Sequence, residues 1–254
     1  EYRTYLKNHA DGPHAETAEA RIQLLKEFYT PTPQEITWID LLTNLHAITT
    51  DPLSTFQMGK ALYERKMYHQ AAEHLETIRS QDEANKWSAE ALYLLGNSHL
   101  KLAKKSKLEN TIQETNKHSE VGLNHLKSLV DTFPNSDWTD DAVLSITAAE
   151  TASLPDSTRA SQQKERYSAF LANYPQSNRI HEAKLRIADT DLTTNDIANA
   201  YKTYQAVQTQ TDNQQNKERA TYGIGLCQTR LGNPAEAENT LRDFLFQYPQ
   251  SDLA

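Results

Sequence analysis

The chain has 254 residues, of which 37% are hydrophobic and 24% are charged, and its formal net charge is −8. An acidic chain of this kind repels phosphate backbones, which argues against bulk binding of nucleic acid. The single cysteine, Cys227, excludes an internal disulfide framework and a cysteine-based zinc site. Its apolar runs stay well short of the ~20 residues that a membrane-spanning helix needs, so the sequence predicts a chain that does not span a membrane.

Helix-forming residues dominate the composition, and only four valines occur. Strands need alternating β-branched and aromatic residues, and no convincing run of that kind is present. The sequence therefore predicts an all-α fold. Start and stop signals indicate about thirteen helices, which we place near 1–10, 14–29, 33–48, 52–66, 68–80, 85–104, 107–132, 137–153, 156–173, 178–191, 194–209, 213–231 and 233–247.

The N-terminal region is less regular than the rest. Residues 1–10 look like the second helix of a hairpin, and residues 30–50 fit no repeat well. We therefore expect residues 1–50 to hold partial and irregular helical repeats, followed by regular repeats over 52–254.

A short sequence with proline and serine recurs along the chain. "FPNS" (133–136), "YPQS" (174–177) and "YPQS" (248–251) each follow a helical stretch. Proline cannot continue a helix, and the serine hydroxyl is predicted to cap the next helix by accepting a backbone N–H. The last copy is followed by only three residues, so we expect the chain to be a segment of a longer repeat array.

A second pattern lies inside these repeats. A small residue is followed twelve positions later by alanine and four positions after that by a large residue. Small residues let two antiparallel helices approach closely, and the large residue fills the space beside them. The pattern occurs three times: Gly59, Ala71 and Leu75; Ala188, Ala200 and Tyr204; Gly225, Ala237 and Leu241.

One hairpin departs from this spacing. Twelve positions after Gly96 lies residue 108, whereas counting back from Pro134 places the equivalent residue at Gly122, 14 residues later. This adds about two helical turns to each arm. We expect an extended hairpin at about 85–132 that projects from the stack. A docking spur for a partner and a tolerated extension are both compatible with its polar sequence.

These features resemble the tetratricopeptide repeat family. "AEALYLLGNSHLKLA" (89–103) follows the first-helix pattern of that family, and "GIGLCQTRLGNPAEAENTLRDFLFQYP" (223–249) supplies a nearly whole repeat. The resemblance implies a right-handed superhelical solenoid of antiparallel helix hairpins. The recurring "YPxS" resembles, more narrowly, repeats of bacterial envelope proteins of the BamD and CpoB types.

The resemblance also implies a concave groove lined by the first helices of the repeats. Mixed aromatic and charged side chains there suit an extended peptide. Packing between repeats is the alternative reading for Tyr93 and Leu226. The candidate partner-binding residues at matching positions are Phe56, Lys60, Tyr63, Glu90, Tyr93, Asn97, Leu100, Lys101, Arg219, Tyr222, Leu226, Thr229 and Arg230.

The sequence contains no pattern typical of an active site. Nucleophile elbows, glycine-rich phosphate loops and H-E-x-x-H are absent, so we predict no catalysis, no cofactor and no metal. His118 and His125, seven residues apart, are interpreted as surface residues, and His99 as an isolated one. Cys227 lies on an apolar helix and is interpreted as a buried small hydrophobe.

Three functions are compatible with the sequence. The first is a non-enzymatic scaffold that binds protein or peptide partners in a bacterial envelope assembly, periplasmic or associated with the outer membrane. The second is the helical wrapping region of a larger enzyme, such as a superhelical peptidoglycan lyase. The third is a cytoplasmic regulatory repeat domain. The sequence identifies neither the partner nor the oligomeric state.

Overall fold

The computed structural model of the protein describes residues 52–79, 88–251 and 253. Within these residues every regular element is an α-helix and there is no strand, as the sequence predicts. The ten helices are α1 (Pro52–Glu64), α2 (Tyr68–Arg79), α3 (Ser88–Leu108), α4 (Ile112–Thr132), α5 (Thr139–Ala152), α6 (Asp156–Asn173), α7 (Ile180–Thr193), α8 (Ile197–Gln210), α9 (Gln214–Arg230) and α10 (Pro234–Gln247).

The predicted count of thirteen helices is therefore not matched within the described residues. Ten of the predicted helices correspond to α1–α10, with ends that agree to within five residues. The largest difference is at the turn between α3 and α4, which was predicted at 105–106 and lies at 109–111. The other three, placed near 1–10, 14–29 and 33–48, lie outside the described residues, as do the irregular repeats expected over 1–50.

The proline-containing turns share one backbone conformation. Phe133, Tyr174 and Tyr248 each precede proline, and their φ angles are −126°, −126° and −127° with ψ between 57° and 59°. The backbone N–H of each donates to the carbonyl four residues earlier. Proline excludes the α region for the residue before it, so each helix ends at this point.

The serine hydroxyls of these turns accept hydrogen bonds from residues that precede the next helix, and not from the helix itself. Ser136 accepts from the N–H of Trp138 at 3.2 Å, and Ser177 accepts from the N–H of Arg179 at 3.0 Å. Those donors precede the first residues of α5 and α7. The prediction that serine caps the following helix is wrong, because the hydroxyl stabilises the turn instead.

The chain divides into two compact units, residues 1–142 and 143–254, with the division inside α5. In the first unit α1 packs on α2, α2 on α3 and α3 on α4, while α1 also contacts α3. Adjacent helix pairs thus share a continuous core, as in a repeat protein. One buried cluster consists of Phe56, Ala72, Leu75, Ala91, Leu94 and Leu95.

The second unit follows the same order. Helix α6 packs on α7, α7 on α8, α8 on α9 and α9 on α10, and α7 also contacts α9. The arrangement within each unit is consistent with a tetratricopeptide-like solenoid, and the right-handed superhelix stays a prediction. The main core cluster consists of Leu185, Ala188, Leu192, Ile197, Ala200, Tyr204, Val207, Ala220, Ile224 and Cys227.

The predicted close contacts at glycine are confirmed. A Cβ atom on Gly59 would lie 2.7 Å from Cγ of Leu75, and a Cβ atom on Gly225 would lie 2.6 Å from Cδ2 of Leu241. Only the absence of a side chain lets leucine fill this space. Tyr204 is the large residue of the pattern that begins at Ala188, and its ring lies against Gly223 of α9.

Among the described helices of the first unit, α3 and α4 are the longest, with 21 residues each, whereas α1 and α2 have 13 and 12. At 1.5 Å per residue, each arm is about 12 Å longer than α1 or α2. A Cβ atom on Gly96 would lie 3.0 Å from the carbonyl oxygen of Gly122. The predicted equivalence of Gly122 is thus confirmed, and we call α3 and α4 together the extended hairpin.

Candidate partner-binding surface

The first helices of successive repeats are joined by an ion pair in the first unit. Nζ of Lys60 on α1 lies 2.8 Å from Oε1 of Glu90 on α3. The side chain of Glu90 is only 16% exposed and that of Lys60 is 43% exposed. The hydrogen bond to Glu90 raises the pKa of Lys60, against the effect of burial. Both predicted partner-binding residues therefore already hold two repeats together.

Two aromatic candidates on α1 lie in or against the core. Phe56 is 6% exposed and belongs to the core cluster of the first unit. Tyr63 is half-buried, and its ring meets that of Tyr68 edge-on with centroids 5.5 Å apart. Phe56 consequently offers a partner almost no surface, and its position is explained by packing between helices.

The candidates on α3 surround a second aromatic contact. Tyr93 is half-buried, and its ring centroid lies 4.9 Å from that of Trp138. Nδ2 of Asn97 donates to the carbonyl of Tyr93 at 3.0 Å. Leu100 packs at Gly122, and Lys101 is half-buried. Sequence reasoning did not include Trp138, which lies in the turn between α4 and α5.

A second ion pair joins first helices in the second unit. The Arg219 guanidinium on α9 lies 2.7 Å from Oδ2 of Asp189 on α7. The hydroxyl of Tyr204 donates to the other oxygen of the same carboxylate at 2.6 Å. Burial and the negative charge of Asp189 raise the pKa of Tyr204 far above its ordinary value. Asp189 thus connects α7, α8 and α9.

The two ion pairs occupy the same register with opposite polarity. Each joins residues 30 apart in the chain. Lys60 and Asp189 directly follow the small residue of their helix, while Glu90 and Arg219 come six residues before the small residue of the next first helix. Asp189 was not among the predicted residues. Opposite charges at these two register positions are the sequence signal that would have identified it.

The remaining candidates lie on α9. Tyr222 packs against Phe244 with ring centroids 5.7 Å apart, and Leu226 is half-buried against the core. The hydroxyl of Thr229 donates to the carbonyl of Gly225 at 3.0 Å. The guanidinium of Arg230 donates to the carbonyl of Leu192 at 2.7 Å, although the residue is exposed.

The prediction for Cys227 agrees with the structure, whereas the prediction for His118 and His125 does not. Burial raises the pKa of Cys227 to about 11, so the thiol stays protonated at neutral pH, which agrees with its interpretation as a buried hydrophobe.

The interpretation of His118 and His125 as surface residues is wrong, because their side chains are 17% and 7% exposed. Across residues 52–79 and 88–251, no group of three or more histidine, cysteine, aspartate or glutamate side chains is placed to hold a metal ion.

The geometry above defines a helical-repeat protein whose first helices are held side by side. A comparison with known families agrees: residues 219–251 match the tetratricopeptide repeat, and residues 49–152 match the YfiO family of outer membrane lipoproteins. These two matches support a tetratricopeptide repeat protein that resembles the BamD-type outer membrane lipoproteins. A search of curated proteins gives no match. Among the described residues, no helix has the length and apolar character required to cross a bilayer.

Proposed function

We propose that this chain is a non-enzymatic scaffold of a bacterial envelope assembly and that it binds protein or peptide partners through the first helices of its repeats. The match of residues 49–152 to a family of outer membrane lipoproteins is the observation that carries this proposal. Proteins of the two matched families are typically non-enzymatic scaffolds. The same match supports a periplasmic or outer-membrane-associated location.

The ion pairs support a rigid binding surface within each unit. Lys60 with Glu90, and Arg219 with Asp189, hold neighbouring first helices at a set separation. A surface that is ordered before binding loses less conformational entropy when a partner docks. The side chains of these pairs position the helices, so the partner contacts are assigned to other candidates.

The candidates that remain lie on the first helices, C-terminal to the small residue of each repeat. In the first unit these are Asn97, Leu100 and Lys101, and in the second unit they are Thr229 and Arg230. Each group combines polar or cationic atoms with adjacent apolar area. A peptide with acidic and apolar side chains suits either surface.

Pull-down of the full-length protein from envelope fractions, followed by mass spectrometry, tests the proposal. We expect Lys101→Glu and Arg230→Glu together to weaken capture of envelope partners about tenfold or more while circular dichroism stays unchanged. Lys202→Glu, on the exposed side of α8, makes the same charge change away from the first helices and should leave capture intact. Undiminished capture by the folded double variant would move the binding site elsewhere, with the extended hairpin the next candidate.

A further inference from the structure

Three histidines meet where the arms of the extended hairpin cross. His99 lies on α3, and His118 and His125 lie on α4 on either side of Gly122. Nδ1 of His99 is 3.0 Å from Nδ1 of His118. The ring of His125 is stacked against that of His99, with centroids 5.9 Å apart and planes at 28°. We call these three side chains the histidine cluster.

The contact between His99 and His118 depends on their protonation. Two nitrogens 3.0 Å apart form a hydrogen bond only when one carries a proton and the other offers a lone pair. A neutral pair meets this condition with the right tautomers. A doubly protonated pair would place two N–H groups head to head, with two positive charges at hydrogen-bond distance.

Charged groups face the cluster from α4 itself. Nε2 of His118 lies 3.7 Å from Oε2 of Glu114, whose side chain is more than half exposed. This carboxylate acts to raise the pKa of His118, but burial outweighs it and the pKa is lowered. Lys117 lowers the pKa of both His118 and His99, as burial does.

Helix α2 contributes further titratable groups. Nε2 of His125 lies 3.6 Å from Oε2 of Glu76. His69, which lies 3.5 Å from Glu73, adds a further repulsion toward protonated His99. Burial, followed by His118 and His125, lowers the pKa of His99 to about 4. The closed arrangement therefore favours neutral rings at His99 and His118.

Beyond the cluster the hairpin has little buried apolar surface. We call residues 103–117 the tip; among them Ala103 and Ser106 are buried, and Ile112 is 74% exposed. On the other side of the cluster the hairpin buries large side chains. These are Leu92, Leu94, Leu95, Leu126 and Leu129. Regions with few buried apolar contacts open at low free-energy cost, so the histidine contact weighs heavily in the tip.

We propose that the histidine cluster is a pH-sensitive lock, which holds the tip of the extended hairpin closed at neutral pH and releases it on acidification. When the tip opens, His99 and His118 at its base are hydrated and regain their ordinary affinity for protons. The open form then binds more protons than the closed form, and lower pH favours it. The rest of the first unit keeps its buried leucines and stays folded.

The expected pH range follows from the same shifts. The lock is complete above the ordinary histidine pKa of about 6.5. It weakens as pH falls toward about 4, where His99 becomes protonated in the closed form. Within this window the opening equilibrium rises by up to about tenfold per pH unit for each proton taken up on opening.

Hydrogen exchange of the folded full-length protein between pH 7.5 and 4, corrected for the intrinsic amide rates, tests the lock. We expect protection of tip amides to fall by up to about tenfold per pH unit below pH about 6.5. Amides in the hairpin of α9 and α10, in the same molecule, should lose far less protection over this range. Tip protection that runs parallel to that of α9 and α10 throughout would overturn the proposal.

Two variants separate titration from packing. In His99→Gln with His118→Gln, an amide pair keeps one donor and one acceptor but does not titrate, so the pH dependence of tip exchange should disappear. His181→Gln, on α7 of the other unit, also removes a histidine whose pKa burial lowers, and it should leave the tip profile unchanged. A pH dependence that persists in the folded double variant would count against the lock.

An NMR titration of the histidine rings in the unmodified protein covers the case in which the double variant fails to fold. We expect His99 to titrate near pH 4 and His118 below its ordinary value. Ordinary midpoints near 6.5 for both rings would show that closure does not depend on neutral histidines, and the lock would be rejected.

Discussion

Lys60 and Glu90 form an ion pair 2.8 Å long between two successive first helices, and the register of this pair recurs in the second unit with the charges exchanged. There Asp189 occupies the position of Lys60, and Arg219 that of Glu90. An ion pair at this position adds electrostatic attraction between neighbouring repeats to the hydrophobic contacts of the core. Because either polarity satisfies the contact, the position requires complementary charges and no particular residue.

Charge exchange at the first pair tests this view. We expect Lys60→Glu to lower the free energy of unfolding by about 1 kcal/mol, since it places two carboxylates together. Adding Glu90→Lys should recover most of the loss, and urea unfolding of the double-mutant cycle measures the coupling. The exposed pair of Arg242 and Glu238 on α10 is the control, with a coupling of about 0.3–0.5 kcal/mol. Equal coupling at the two pairs would contradict a specific role for Lys60 and Glu90.

Gly96→Ala should destabilise the extended hairpin. The added Cβ would lie 2.6 Å from Cγ of Leu126 and 3.0 Å from the carbonyl oxygen of Gly122. Overpacking of this kind costs about 1–3 kcal/mol, which exceeds the gain of about 1 kcal/mol in helix propensity. Thermal unfolding measures the difference.

Gly232→Ala is the matched control for that substitution. No heavy atom of the described residues lies within 4 Å of the added Cβ, but the φ angle of +80° is unfavourable for alanine. We expect a loss of about 1–2 kcal/mol from backbone strain alone. Leu126→Ala removes the side chain that the added Cβ meets, so it should lower the free energy of unfolding less in the Gly96→Ala background than in the wild type. An equal loss in both backgrounds would show that steric conflict is not the cause at Gly96.

Tyr204→Phe should cost about 1.5–3 kcal/mol, because the hydroxyl bonds to the Asp189 carboxylate at 2.6 Å and burial keeps water from replacing it. Tyr201→Phe, on the same helix, is the matched substitution of a half-buried tyrosine. Denaturant unfolding of both variants gives the comparison. A loss at Tyr204 no larger than that at Tyr201 would mean that the bond to Asp189 contributes little.

Cys227 should be unreactive in the folded protein. Burial excludes reagents and raises the pKa of the thiol to about 11, whereas the thiolate is the reactive form. At pH 8 a disulfide reagent should modify Cys227 at least about a hundredfold faster in urea than in the native state. Since the folded pKa is raised, the thiol also favours folding below pH about 9, and this contribution is lost as pH rises toward 11. Rapid modification of the native protein would show that the α7–α9 core admits solvent.

Local signals account for the features that the sequence predicted well. The predicted bounds of α6, residues 156–173, agree with the structure, because proline at 155 and at 175 limits the helix on both sides. Leucine against Gly59 and Gly225 was also predictable, since the spacing of twelve and four residues recurs within each helix pair. Such signals depend on residues that are near in sequence or repeated in one register.

The polar contacts between helices were decided only by the tertiary structure. His99 and His118 are 19 residues apart and Asp189 and Arg219 are 30 apart, so their meeting depends on how the helices cross. The Gly96–Gly122 crossing sets which faces of α3 and α4 meet, and this brings the histidines together. Helix type and repeat register follow from the sequence by itself, because backbone sterics and periodicity act locally. The charge partners and the histidine cluster follow from packing, because it brings distant side chains within hydrogen-bond distance.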